Sequence, residues 1–376
     1  MWGLSEKLVM KGLFISLAGL ICLTAQLGLA KMYKGLKPVI HEDGTVTFED
    51  KPIPEAYRTV GLPDDAVGVW GFKDERWAIE RPSPINTSGW TALDYMKYQE
   101  RALGFLIKPC KDYTGDFQID LVDKRGRKRT KKLYQFKKPY YGKEGLMYKS
   151  MSYFYYPPDI KGTCILLYKS MKASEPDNQW LYLPALRKIR RISAGQKMDS
   201  FGGTDVTNDM MVRKAYYWNY EFAGEETIDM NTHRIKDAYG GKAHFNLING
   251  RKCVWIKGTP KDKSWPISYS LFLVDKERGN FLYEEDYDKG GKLLRTLHAC
   301  LAPLYPKNEK YLTFGDWYCE NVQSKSKTFM YLRVYDDEGN KAPDYANRDF
   351  SNYVYWFDTG WDEYYVSKRF MQKGTR

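Results

Sequence analysis

A β-rich α+β fold organised around one large antiparallel sheet is the class this sequence predicts, on three observations. Short segments of alternating side-chain character recur from Asp116 to Tyr335, separated by turns rich in Gly, Asp and Pro. Aromatic residues make up 16% of the 376-residue chain while mean hydropathy is −0.60, which suits amphipathic strands with one solvated face. One amphipathic helical stretch, Thr91–Phe105, precedes the strands. A large curved sheet, a sandwich and an open barrel all satisfy this pattern.

From the start of the chain, Lys7 and Lys11 precede an apolar run from Gly12 to Leu23, and Gly28-Leu29-Ala30 supplies small residues before Lys31. Residues 1–30 therefore read as a secretory signal peptide. An uncleaved anchor is the alternative, opposed by Ser16, Thr24 and Gln26 in a run that needs ~20 strongly apolar residues to span a bilayer. Cys22 lacks the small preceding residue of a lipobox, so no lipoprotein is expected. Residues 31–90 carry Pro38, Pro52, Pro54, Pro63, Pro82 and Pro84 and read as an irregular arm or subdomain. Thr91–Phe105 then places Leu93, Met96, Tyr98 and Leu103 partly on one face, with Ser88 or Thr91 as the cap.

Hairpins follow. Asp116–Val122 and Arg127–Phe136 flank Asp123-Lys124-Arg125-Gly126, and Met151–Tyr156 and Thr163–Lys169 flank Asp159-Ile160-Lys161-Gly162. Gln179–Leu183 and Lys188–Ile192 flank Pro184-Ala185-Leu186-Arg187, where proline suits the first central position of a type I turn. Phe201-Gly202-Gly203-Thr204-Asp205 reads as an ordered loop rather than a helix, with glycines for positive φ. Ala243–Ile248 and Arg251–Lys257 flank Asn249-Gly250, a strong two-residue hairpin signal. Ser268–Val274, Phe281–Tyr287 and Lys292–Ala299 continue the meander; Trp317–Val322, Thr328–Tyr335, Asn352–Phe357 and Glu363–Val366 are later strands. Alternation puts Phe117, Ile119 and Leu121 on one face, and Tyr269, Leu271 and Leu273 opposite Ser268 and Ser270, so an apolar inner face is expected.

Formal net charge is +12, with the excess concentrated between Lys108 and Lys149. Arg125, Arg127, Lys128 and Arg129 form the candidate partner-binding patch, suited to anionic lipid headgroups or an acidic protein; a solvated hairpin is the plain alternative. No nucleic-acid motif accompanies it, so no nucleic-acid partner is expected. His41, His233, His244 and His298 show no metal-ligand spacing, and neither a nucleophile elbow nor a P-loop occurs; no metal, cofactor or catalytic residue is implied. Glu225-Glu226 and Glu284-Glu285 are adjacent carboxylate pairs that charged hairpin surfaces explain better than acid–base chemistry. Outside the leader lie Cys110, Cys164, Cys253, Cys300 and Cys319, an odd set without CxxC spacing; one disulfide or buried thiols are expected.

Tyr182-Leu183-Pro184-Ala185-Leu186, the Arg190-Arg191 pair, Phe201, Gly203 and Thr204-Asp205, with Pro158–Thr163 upstream, resemble the LolA-like family of outer-membrane lipoprotein-sorting proteins. The resemblance covers roughly Arg101 to Ala299 and departs at Asn208-Asp209-Met210, where many relatives place an aromatic and an acidic residue. It implies a strongly curved antiparallel sheet, an open half-barrel with helices against its concave face, over residues 91–300, followed by C-terminal strands and an aromatic-rich extension over 301–376. It further implies a periplasmic, non-enzymatic carrier that takes the acyl chains of a lipoprotein or lipid into an apolar cavity and shuttles them to or from the outer membrane. A resistance-nodulation-division (RND) type transporter is the implied partner, with peripheral membrane contact. Tyr153, Tyr155, Leu166, Tyr168, Tyr182, Trp255, Leu271 and Phe272 are the expected cavity lining, with ordinary core packing as the competing reading. Arg190 and Arg191 are expected at the cavity rim or in a structural role, beside the motif residues Phe201, Gly203, Thr204 and Asp205. The alternative function is an envelope interaction module docking through the basic hairpin and the aromatic region Tyr353–Tyr365.

Overall fold

The computed structural model describes residues 39–40, 46–47, 87–104, 113–140, 143–172, 174–229, 249–276, 279, 281–305, 308–332, 356–357 and 363–373. The leader at 1–30, nearly all of the arm at 31–90 and the segment 243–248 lie outside them. β1 (Val39–Ile40) and β2 (Val46–Thr47) form a separate two-stranded pair. Among the described residues, every other strand belongs to one 14-stranded antiparallel sheet.

The first half of that sheet is a meander of β3 (Tyr113–Val122), β4 (Lys128–Pro139), β5 (Leu146–Tyr156), β6 (Cys164–Ser170), β7 (Asn178–Leu183) and β8 (Lys188–Arg191). The second is β9 (Trp218–Thr227), β10 (Lys252–Pro260), β11 (Ile267–Asp275), β12 (Phe281–Asp288), β13 (Leu293–Tyr305), β14 (Asn308–Asn321) and β15 (Ser326–Leu332). The order is β8-β7-β6-β5-β4-β3-β15-β14-β13-β12-β11-β10-β9, with β16 (Trp356–Phe357) added on β3. One long-range pairing, Lys327 opposite Val122 through Leu332 opposite Phe117, joins the two meanders. β8 and β9 end the path without meeting, so the sheet is a curved, open half-barrel, as predicted.

α1 (Ala92–Gly104) and the one-turn α2 (Asn208–Met211) cover one face, here termed inner. Thr91 caps α1 reciprocally with Asp94: its Oγ accepts from the Asp94 amide at 3.2 Å while the Asp94 carboxylate accepts from the Thr91 amide at 2.9 Å. The buried stripe is Ala92, Tyr95, Met96 and Gln99, at helical spacing, whereas Leu93, expected inside, is exposed. Phe117, Ile119 and Leu121 do face inward, packing with Phe201, Met211 and Trp317.

Two expectations are corrected, and one strand is added. Glu363–Val366 is a 3-10 turn instead of a strand; it leads into α3 (Lys368–Lys373), whose Phe370 and Met371 pack with Val366 on Phe136, Leu166 and Tyr182 of the outer face. Asn249-Gly250 is not the hairpin turn for β10, because β9 and β11 occupy both of its edges. β9 is the added strand: Trp218, Tyr220 and Phe222 alternate with polar Asn219 and Glu221, without a turn signal on either side.

β11 shows the inverse of the expected facing. Ser270 and Phe272 are wholly buried inward, while Tyr269 and Leu271 lie outward, half-buried, where Lys257 sits 5.6 Å from the Tyr269 ring and bonds exposed Glu221. The reason is polar pairing: the Ser270 hydroxyl donates to the buried Asp286 carboxylate on β12.

Candidate functional site

The inner face opposite α2 is ionic. Thr207 caps α2 by accepting from the Met210 amide, and this short helix aims Asp209 at Arg213 one turn later. Arg213 donates through Nε to Asp209 at 2.9 Å and grips Glu284 with both Nη atoms at 3.0 and 2.7 Å. Its guanidinium lies 4.5 Å from the Phe272 ring and 5.3 Å from Trp218, which exclude water. Arg295 on β13 donates to Asp286 at 2.8 Å. Two guanidinium ions thus face the carboxyls of Asp209, Glu284 and Asp286, an acidic excess in a dry site. Burial and neighbouring Asp286 push the Glu284 pKa up to about 8, against the pull of Arg213.

Glu284 and Glu285 are both buried, contrary to the expectation of a charged hairpin surface; Glu285 accepts from the hydroxyls of Tyr283 and Tyr287. Glu225, by contrast, is exposed and bonded to Lys276, as a surface carboxylate. A raised carboxyl pKa makes the folded state bind its proton more tightly than the unfolded chain does. Stability is therefore expected to fall as pH rises from about 4.5 towards about 8. Urea titrations across that range should show this slope flattened in Glu284→Gln; an equal slope in both proteins would refute the assignment.

A second buried cluster joins α1 to the first meander. Lys169 on β6 contacts Glu100 and Asp177 at 2.9 Å each and donates to the Arg213 carbonyl at 2.8 Å. Lys214 meets the same Glu100 oxygen at 3.0 Å. Burial works against the Lys169 charge, yet Asp177 and Glu100 outweigh it and raise its pKa. Burial lowers the pKa of neighbouring Lys197, whose Nζ donates to Gln179 at 2.9 Å.

The motif loop is an anchor between these parts. Phe201–Gly203 form a 3-10 turn with Gly202 and Gly203 at φ 59° and 77°, and a Cβ on Gly202 would stand 2.8 Å from the Phe154 ring. Thr204 Oγ donates to the Phe201 carbonyl at 2.7 Å, and Lys131 donates to the Gly202 carbonyl. Asp205 receives Ser326 at 2.6 Å and Thr328 at 3.0 Å from β15, and its own carbonyl accepts from Arg295. Arg190 and Arg191 are exposed on the edge strand β8, where Arg191 bonds Asn178 at 2.6 Å.

The eight residues expected to line one cavity are divided between two faces. Phe272 is inner, beside Arg213. Leu166, Tyr182, Tyr153 and Tyr168 pack on the outer face with the C-terminal segment. Tyr155 stacks on Tyr134 at 4.6 Å and donates to Asp116, and Trp255 donates to Glu226 at 2.7 Å. Leu271 is outward, as above. Beneath α1 and α2, the space lined by Met96, Gln99, Met210, Phe281, Leu297 and Trp317 is a cavity of about 20 Å³, room for about one water molecule.

A larger concavity lies at the β9 edge. A cleft of about 520 Å³ runs between the entry to α1 and strands β9 and β10, lined by Trp90, Tyr95, Phe222, Gly224, Val254 and Lys276. Trp90 meets Tyr95 edge-on at 5.0 Å, and Tyr95 meets Phe222 edge-on at 6.0 Å. The register shifts here: Trp255 pairs with Gly224 but Ile256 with Phe222, so Ala223 is a bulge. Gly224, at φ 146° with nothing near where a Cβ would be, leaves the cleft floor open. Phe222 is 51% exposed, and Lys276 bonds Glu225 at 2.6 Å beside it.

Among the described residues no His, Cys, Asp and Glu cluster has the arrangement of a metal site, and Cys164, Cys253 and Cys319 are buried free thiols. Burial pushes the Cys164 thiol up to about 12, which leaves it unreactive.

Comparison with known proteins gives a consistent result at the level of fold. A family model described only as an uncharacterized protein matches residues 147–340, more than half of the chain. No curated protein matches. A DUF1329 family protein from Desulfovibrio piger is similar at 21% sequence identity and TM-score 0.52, over 73% of this chain and 97% of that one. A domain named for outer-membrane lipoprotein sorting, from Vibrio parahaemolyticus, is similar at 21% identity and TM-score 0.54, over 75% and 98%.

Proposed function

Because the chain belongs to a LolA-like fold family, we propose that it is a non-enzymatic carrier of an acyl-bearing lipid or lipoprotein in the cell envelope, and that it holds the acyl chain in the cleft at the β9 edge. The supporting observation is the cleft: about 520 Å³, aromatic on two sides, with Phe222 exposed. That volume lies in the range of small-molecule sites. Each methylene removed from water contributes ~0.8 kcal/mol, so one chain supplies several kcal/mol without any charged partner. Among the described residues, the space between Met96, Gln99, Met210 and Trp317 beneath α1 and α2 is only about 20 Å³. Among the described residues no helix is long and apolar enough to cross a membrane. A periplasmic location follows from the leader expected at residues 1–30 and belongs to this proposal.

Binding of a fluorescent fatty acid, and its displacement by palmitate, tests the reading. Phe222→Asp should weaken the probe by roughly ten- to a hundredfold, the factor that corresponds to losing one buried aromatic side chain. Unchanged affinity in Phe222→Asp and Trp90→Ala would sink the cleft as the site. The close packing of the described residues beneath α1 and α2 favours one second reading, an envelope interaction module. Purified protein that carries no extractable lipid and ignores the probe would support it.

A further inference from the structure

The antiparallel order places alternate connections at one end of the sheet. Turns 123–127, 157–163 and 184–187 follow β3, β5 and β7 at that end. Because Lys327 sits opposite Val122, turn 322–325 lies beside turn 123–127, and 289–292 and 261–266 continue the same rim towards β9. The cleft lies along β9 away from its rim end, so this surface is separate from it.

Each of the six turns presents an exposed cation: Arg125, Lys161, Arg187, Lys263, Lys289 and Lys325. Of the acids on the rim, Asp159 is exposed beside Lys161, and three others are occupied in shaping their turns. Asp123 accepts from the amides of Arg125 and Arg127 and pairs with the Arg127 side chain at 2.6 Å; Asp262 accepts from Ser264; Asp288 accepts from the amides of Gly290 and Lys292. Exposed apolar side chains interrupt the cations. Tyr156, Leu186 and Val322 are 44%, 48% and 42% exposed, each in or next to a different turn. Lys132 lies 5.3 Å over the Tyr156 ring, the pairing of cation and aromatic that suits a headgroup boundary.

We infer that this rim is a docking surface for an anionic phospholipid bilayer. Charge complementarity selects the partner: cations spread along an arc match a distributed negative surface, and Leu186 and Val322, standing singly on separate turns, reach the acyl boundary without needing a groove.

Flotation of the full chain with vesicles tests the assignment. Vesicles of phosphatidylcholine containing phosphatidylglycerol should carry the protein up the gradient; pure phosphatidylcholine should not, and high salt should release it. Arg125→Gln with Lys289→Gln should reduce partitioning on the order of thirtyfold. Leu186→Ser with Val322→Ser should reduce it as well, while all four substitutions leave fatty-acid binding in the cleft unchanged. That separation distinguishes failure of the rim from failure of the carrier reading. Equal binding to neutral and anionic vesicles, or no binding to either, overturns the inference. Capture by soluble polyglutamate with no loss in Leu186→Ser, Val322→Ser also overturns it, in favour of an acidic protein partner.

Discussion

Arg213→Met is expected to destabilise the protein by about 3–5 kcal/mol, the range for breaking a buried ion pair from one side. Arg213 is the cation for both Asp209 and Glu284, and it spans the 71 residues between its own loop and β12. Methionine fills part of the volume but leaves two carboxyls facing each other and Asp286 in a site closed by Trp218 and Phe272. Coulomb repulsion there is poorly screened, so protonation or partial opening must follow. Above about pH 8, where Glu284 would otherwise be ionised, adding Glu284→Gln should recover part of the loss. Chemical denaturation of the single and double variants measures both effects. A loss below about 1 kcal/mol for Arg213→Met would mean that water reaches the cluster, contrary to its burial.

Lys169→Met should cost a similar amount, about 3–5 kcal/mol, for the same physical reason. Lys169 is fully buried between Glu100 of α1 and Asp177 before β7, and it also supports the Arg213 carbonyl. Its removal leaves Lys214 as the cation shared by both carboxylates. The expected signature is loosening of α1 together with loss of global stability, visible as faster amide exchange in residues 92–100. If exchange in α1 were unchanged while stability fell, the lysine would support β6 and β7 alone.

Much of the architecture was legible from near neighbours. β3 to β8 fall within a few residues of their expected limits, because alternation and turn chemistry are local: Asp123 shapes its own hairpin, and Pro184 starts a one-turn link that ends at Arg187 with φ 48°. Thr91 caps α1 through a residue three positions away. The candidate site was far less legible. Asp205 read correctly as a loop residue, but its partners Ser326 and Thr328 lie more than a hundred positions later. Trp90, Tyr95 and Phe222 attract no notice as a group, since their meeting depends on where α1 crosses β9 and on the bulge at Ala223. Glu284 and Glu285 read as surface residues because adjacent carboxylates usually are; only Arg213, Tyr283 and Tyr287 make their burial tolerable.

The amino-acid order alone determined where β3 to β8 begin and end, how their hairpins turn and how the first helix is capped. The folded arrangement decided which side of each strand is inside. A period of two separates side chains into two sets but is symmetric between them, so Ser270 and Leu271 differ only by what waits on either side. That choice was made by Asp286 across the sheet and by Arg213 from a distant loop, through hydrogen bonds that no local pattern encodes.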